Sequence, residues 1–231
     1  IHDLSITFAD GKRLEPLTLT VPNGRAVALL GAEGVGKTTL MDLLSGNLPL
    51  EPGRVKYCGN DLAEAPFETK ACFGYMPAEP PLYDDLSVRG YLKFVGEARG
   101  LGSKRTGERI AELLELLDLR GVADKPLSGL SAGVRRLASL GQALMGNPPV
   151  LLLDEPTAGL DPREVVQMRT LLKSLRGQHA LLIATRIVNE VAALCDEVLL
   201  LDRGRVVARG TPEALATLEG GAGGVSVTSG M

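Results

Sequence analysis

The stretch Arg25–Thr38, RAVALLGAEGVGKT, constrains the fold more than any other part of the chain. Its first half is a continuous apolar run ending in glycine, the pattern of a central strand buried on both faces. Its second half fits G-x-x-x-x-G-K-[ST], and from about Lys37 to Ser45 the pattern becomes helical. A glycine loop between a buried strand and a helix suits phosphate for physical reasons. Glycines let backbone N–H groups curl around phosphate oxygens, and the helix N-terminus adds a favourable dipole. The expected cradle is Gly31, Ala32, Glu33, Gly34, Val35, Gly36, Lys37, Thr38 and Thr39. Lys37 can reach the β- and γ-phosphates, and the Thr38 hydroxyl can ligate Mg²⁺. Glu33 puts an acid beside an anion site, so its side chain is expected to point outward. The plain alternative is a chance glycine loop.

A second stretch, VLLLDEP from Val150 to Pro156, supplies acids. Asp154 at the end of a buried strand can hold the Mg²⁺ shell, and Glu155 can orient or deprotonate an attacking water. Paired carboxylates can also be a solvated strand end. The apolar residues before them and Pro156 after them weigh against that reading.

Around these motifs the chain changes periodicity twice. Leu4, Ile6 and Phe8 alternate on one strand face, ADGKR reads as a turn, and Leu17, Leu19 and Val21 repeat the alternation. Tyr91, Leu92, Phe94 and Val95, then Ile110, Leu113, Leu114 and Leu117, recur at helical spacing, separated by the glycine-rich RGLGSKRTG. The block from about 80 to 145 therefore reads as an inserted helical subdomain. Afterwards VLLLD, a helix near Glu164–Leu175, ALLIA, a helix at Val188–Leu194 and EVLLLD alternate. The expected fold is α/β: a mostly parallel central sheet with an N-terminal antiparallel β subdomain and an inserted α-helical subdomain.

Composition narrows the partners. A net charge of −3 over 231 residues argues against a nucleic-acid-binding face, which needs clustered Lys and Arg. Cys58, Cys72 and Cys195 have no CxxC spacing, so neither a zinc site nor a disulfide framework is suggested, and reduced thiols point to the cytosol. No apolar run approaches the roughly 20 residues that cross a bilayer. The chain begins with Ile1 and shows no signal peptide, as expected of a piece of a longer polypeptide. Residues 1–218 read as one domain and 219–231 as a flexible glycine-rich tail or linker.

A third stretch carries a resemblance. LSAGVRRLASLGQALMGNPPVLLLDEPTAGLDP, Leu130–Pro162, resembles the nucleotide-binding domains of ABC transporters, whose signature LSGGQ opens a helix before the acidic strand. LSAGV, Leu130–Val134, stands in that place, and AGLD, Ala158–Asp161, looks like the family's D-loop. The likeness runs from about Leu4 to Thr211. It implies the P-loop ABC-type fold, ATP and Mg²⁺ as ligands, and a head-to-tail pairing with a second ABC domain. In that pairing Ser131 and Gly133 would face the partner's γ-phosphate; alone, Ser131 could be only an N-cap. The resemblance also makes Phe8 an adenine-stacking residue, although Phe8 equally continues a core face. It makes the helical block the contact for a transmembrane permease, at the cytoplasmic side of the membrane. Asp84 and Asp85 would lie near that contact, unless they are a solvated acidic turn.

Two expected residues are absent. GYMPAEPPLYDDLSV aligns with family segments of the form GYLPQEPxLYxDLTV, so the Q-loop glutamine falls on Ala78. ATRIVNEVAALCDEV aligns with STHxxEExxxLCDxV, so Arg186 replaces the switch histidine. An arginine there could clasp a γ-phosphate, pair with Glu155 and disable the base, or swing into solvent. His179 precedes its strand and is no replacement. The expectation is a site that binds ATP well and hydrolyses it slowly, in an exporter of the ABC-2 type. The alternatives are a soluble ABC ATPase of translation, repair or cluster assembly, and a non-hydrolysing regulatory ATP binder.

Overall fold

The structure, a computed structural model, describes residues 1–7 and 13–216. An antiparallel pair, β1 (Leu4–Thr7) and β2 (Arg13–Leu17), precedes the apolar strand β3 (Ala26–Leu30), the glycine loop and α1 (Lys37–Leu44). A small hairpin, β4 (Lys56–Tyr57) and β5 (Asn60–Asp61), and the short α2 (Pro66–Lys70) lead into β6 (Phe73–Met76). Then come α3 (Val88–Ala98), α4 (Ser103–Leu116) and α5 (Ala132–Leu144) with no named strand between them. The chain finishes by alternation: β7 (Val150–Asp154), α6 (Pro162–Leu175), β8 (Ala180–Thr185), α7 (Val188–Leu194), β9 (Glu197–Asp202), β10 (Arg205–Gly210) and α8 (Pro212–Ala216).

The main sheet has the order β10-β9-β3-β8-β7-β6 and is parallel except for β10. Parallel strands need crossover connections, and these cover both faces with helices. The strand pleat then sorts side chains between two cores. Ala26, Ala28, Leu151, Leu153, Leu181 and Ile183 face the core under α3 to α7. Val27, Leu29, Leu152 and Leu182 face the other, which holds Leu40 and Met41 of α1 and Leu14 of β2. Such two-sided burial is why these strands are continuously apolar.

Register decides where the loops meet. Leu30 pairs with Thr185 of β8 and Leu200 of β9, and Asp154 pairs with Ala184. The C-terminal ends of β3, β7 and β8 therefore reach one edge of the sheet together, where open α/β sheets bind ligands.

The N-terminal alternation overran its strand. β2 begins at Arg13, inside the segment read as a turn, and ends at Leu17. Leu19 is nonetheless buried, and its N–H donates to the Ile1 carbonyl outside any strand. Apolar spacing there reports burial rather than strand pairing. Phe8 and the tail from Glu219 lie outside the described residues. Among the described residues no helix is long and apolar enough to cross a membrane, and the three cysteines are free thiols.

The helical block is built on α3, α4 and α5, which pack through Leu92, Leu113, Leu114 and Leu140. The Ser87 side chain caps α3 by accepting from the Gly90 N–H at 3.0 Å. α5 presses directly on β6 at Gly74, where an added Cβ would lie 2.0 Å from the Ala143 carbonyl oxygen. Gly74→Ala is thus expected to destabilise the chain by about 1–3 kcal/mol in urea unfolding. Gly107→Ala, in open space on α4, should instead stabilise it by roughly 0.5–1 kcal/mol. Equal stabilities for the two variants would contradict this packing.

Candidate nucleotide site

The glycine loop leaves β3 and enters α1 through Gly36, whose φ of 105° is a conformation side chains disfavour. Gly36 stands at the N-cap position and no side chain caps the helix, so the first amides of α1 are left to a ligand. Lys37 curls back over its own loop: Nζ donates to the Gly31 and Ala32 carbonyls, both at 2.8 Å. It also lies 3.7 Å from Glu155 Oε1 and is only 6% exposed. A buried ammonium held this way is fixed in place before any anion arrives.

Asp154 ends β7 fully buried, and neither carboxylate oxygen closes a hydrogen bond. Burial pushes its carboxyl above the usual carboxylate range, as do Glu155 and Asp42 more weakly, while the nearby Thr38 hydroxyl and the Lys37 ammonium pull it back. A buried acid without donors is the arrangement expected of a group whose partner is a cation. Glu155 follows in a left-handed backbone conformation, φ 46°, with its N–H bonded to the Ala184 carbonyl at 2.8 Å. That geometry is costly for a non-glycine residue and aims the side chain into the cleft. Its Oε2 is also without a partner.

The third loop brings Arg186. Its guanidinium does not pair with Glu155. It reaches the phosphate loop instead, where Nη1 lies 3.3 Å from Glu33 Oε2. The two residues that are unusual for their motifs are thus each other's partners. Both are exposed, 57% and 87%, which limits the pair to about 0–1 kcal/mol. Beneath it the Thr185 hydroxyl donates to the buried Glu190, whose carboxyl is also raised by burial. His179 is buried away from the site, with Nδ1 at 2.6 Å from the Pro148 carbonyl.

These groups border a cleft of about 1180 Å³ running from the phosphate loop to Ala78, Glu155 and Arg186. Ala78 contributes a methyl group to the wall, whereas Ser131 and Gly133 do not line the cleft. Ser131 caps α5 by accepting from the Val134 N–H at 3.3 Å, and Gly133 is packed against the Glu164 carboxylate. Sequence reasoning missed four wall residues, Glu79, Arg203, Gly204 and Arg136 of α5, of which Arg136 is 8% exposed. A helical-stripe reading could have flagged Arg136, because it shares the buried face with Gly133 and Leu140. The whole set is suited to a polyphosphate: backbone donors, one buried ammonium, and an orphaned carboxylate for a cation.

The profile of the family described as ABC transporter matches residues 14–158. The daunorubicin resistance ATP-binding protein DrrA3 of Streptomyces coeruleorubidus is 35% identical over 215 residues, covering 93% of this chain and 68% of its own. The Nod factor export ATP-binding protein I of Burkholderia lata is 35% identical over 214 residues, covering 92% and 70%. A solved ATP binding subunit of an ABC transporter has a TM-score of 0.82 at 29% identity, covering 95% of this chain and 92% of that one.

The Asp154 carboxyl gives a pH-dependent test. Because its pKa is raised on folding, the folded state holds the extra proton, and stability falls as pH rises from the ordinary carboxylate range through the raised value. Above that window the charged, buried group is a standing penalty to the fold. Asp154→Asn should therefore raise the melting temperature at neutral pH and flatten its fall as pH rises above the ordinary carboxylate range, with Glu190 sustaining the remaining slope. A lower melting temperature for the variant at pH 7 would contradict the assignment.

Proposed function

The chain belongs to the ABC transporter family of ATP-binding domains, and from that premise we propose that its own site binds Mg-ATP firmly and hydrolyses it slowly. It is the ATPase component of a transport system. Export is the direction supported by the relatives, two of which are named for drug resistance and for Nod factor export.

The observation that carries the reading is the meeting of Lys37, Glu155 and the orphaned Asp154 at one sheet edge. Lys37 and the free amides of α1 would hold the β- and γ-phosphates. Thr38 and Asp154 would hold Mg²⁺, which when bound neutralises charge on the phosphoryl oxygens. Glu155, with a free carboxylate oxygen, accepts the proton of the attacking water. Slow turnover follows from the other two walls. Arg186 is drawn to Glu33 rather than to the water's position, and the Ala78 methyl can coordinate nothing.

The partners follow from two surfaces. On the helical block, α3 exposes Phe94 against Tyr83, their rings 5.2 Å apart and near edge-to-face, with Tyr91 behind them. This aromatic groove of about 450 Å³ suits a helix of a transmembrane permease, which would hold the domain at the cytoplasmic face of the membrane. Asp84 is committed elsewhere, in a 2.6 Å ion pair with Arg135 of α5. The exposed start of α5, with Ser131, suits the γ-phosphate of a second ABC domain. Phe8, outside the described residues, is the candidate for adenine stacking.

Lys37→Ala should weaken binding of a fluorescent ATP analogue by tenfold or more, at least ~1.4 kcal/mol. Equal affinity in the variant, or no nucleotide binding by the unmodified chain, would overturn the reading.

A further inference from the structure

Arg136 is a charged side chain where a helix facing the core would carry an apolar one. It lies on the buried stripe of α5, one turn inside the Ser131 cap, and reaches the cleft wall from the helical block. Its guanidinium bonds two backbone carbonyls from different loops. Nη1 donates to the Ala78 oxygen at 2.8 Å and Nη2 to the Ala158 oxygen at 2.7 Å. Ala78 follows β6, and Ala158 follows the carboxylate pair at the end of β7. Only arginine carries two separate –NH₂ groups in a rigid fork, so only arginine can span both carbonyls at once.

The charge on this group also needs explaining. Burial lowers the Arg136 pKa, and Asp154, Glu155 and Glu190 counter that from a distance. Among the described residues Arg136 has no carboxylate within ion-pair contact. It is therefore a buried cation held by carbonyl dipoles and by the field of three acids, two of which are themselves desolvated. A purely structural site would be filled more stably by an apolar side chain.

We infer that Arg136 is a positioning residue, the brace through which the helical block is coupled to the loops flanking Glu155. The inference rests on the nucleotide-site reading above. At position 78 the side chain is a methyl and transmits nothing, but the backbone carbonyl is gripped. Any displacement of α5 by a partner on the aromatic groove would carry the 78 and 158 carbonyls with it. Nucleotide state is thereby linked to the helical block through the main chain. The P-loop, which makes no hydrogen bond to Arg136 among the described residues, keeps its grip on the phosphates whether or not the brace is closed.

The test compares Arg136→Gln and Arg136→Lys with the unmodified chain by three measurements. These are affinity for a fluorescent ATP analogue, single-turnover hydrolysis of γ-labelled ATP, and amide hydrogen exchange in peptides covering residues 76–80, 155–160 and 31–38. Both variants should keep nucleotide affinity within about threefold while the single-turnover rate falls about tenfold. Exchange should quicken in both loop peptides together and stay unchanged in the phosphate loop. The lysine variant is not expected to rescue, because one ammonium cannot grip two carbonyls. Full rescue by Arg136→Lys would reduce the role to charge alone and overturn the brace. Unchanged hydrolysis and unchanged loop exchange in Arg136→Gln would overturn it as well. Failure of the unmodified chain to bind nucleotide would instead sink the nucleotide-site reading, and the loop exchange would still decide the brace.

Discussion

The parallel register of β3, β7 and β8 is the constraint on which the rest of the structure depends. Because Leu30 lies beside Thr185, and Asp154 beside Ala184, three loops from distant parts of the chain emerge at one edge. Each brings a different chemistry: the phosphate loop donors and Lys37, the paired acids, and Arg186. A slip of one residue would turn every strand side chain to the opposite core and separate these groups. The two-sided burial of Ala26 to Leu29 and Leu151 to Leu153 is what pins the register. Core packing and site assembly are therefore one event.

Charge explains how the site differs from the family pattern. Lys37 is secured by carbonyls on its own loop, whereas Asp154 and Glu155 retain unsatisfied oxygens. A cation held by these oxygens would relieve the burial penalty of the carboxylates. At the rim Glu33 and Arg186 neutralise each other, so an acid in a phosphate loop is tolerated without repelling the ligand outright. At the other wall the alanine at position 78 is bypassed by the Arg136 fork. The departures are consistent with one another, each unusual residue having a neighbour that accommodates it.

Much of this was legible in the sequence because the signals were local. The apolar run into GAEGVGKT, the VLLLDEP end and the Ser131 cap of α5 all rest on spacing and residue type. The carboxylate pair and the glycine loop could be located from that alone. Contacts between elements were not legible. Nothing in the spacing says that Arg186 meets Glu33 across 153 positions, since that depends on strand order. Leu19 showed the opposite limit, an apolar residue buried without a strand. Arg136 sat in plain view within VRRLASL, but two adjacent arginines look alike in sequence. Only the helix rotation separates the one that pairs with Asp84 on the surface from the one that enters the core.

The central claim is that Arg186, held at Glu33, leaves the water beside Glu155 unordered and the site slow. Steady-state Mg-ATP hydrolysis by the chain and by Arg186→His, at high protein concentration and with the Glu155→Gln rate subtracted, tests it most directly. The account predicts that histidine raises the rate about tenfold or more, worth at least ~1.4 kcal/mol of barrier. A lower rate with histidine would contradict it, because Arg186 would then itself be serving the γ-phosphate.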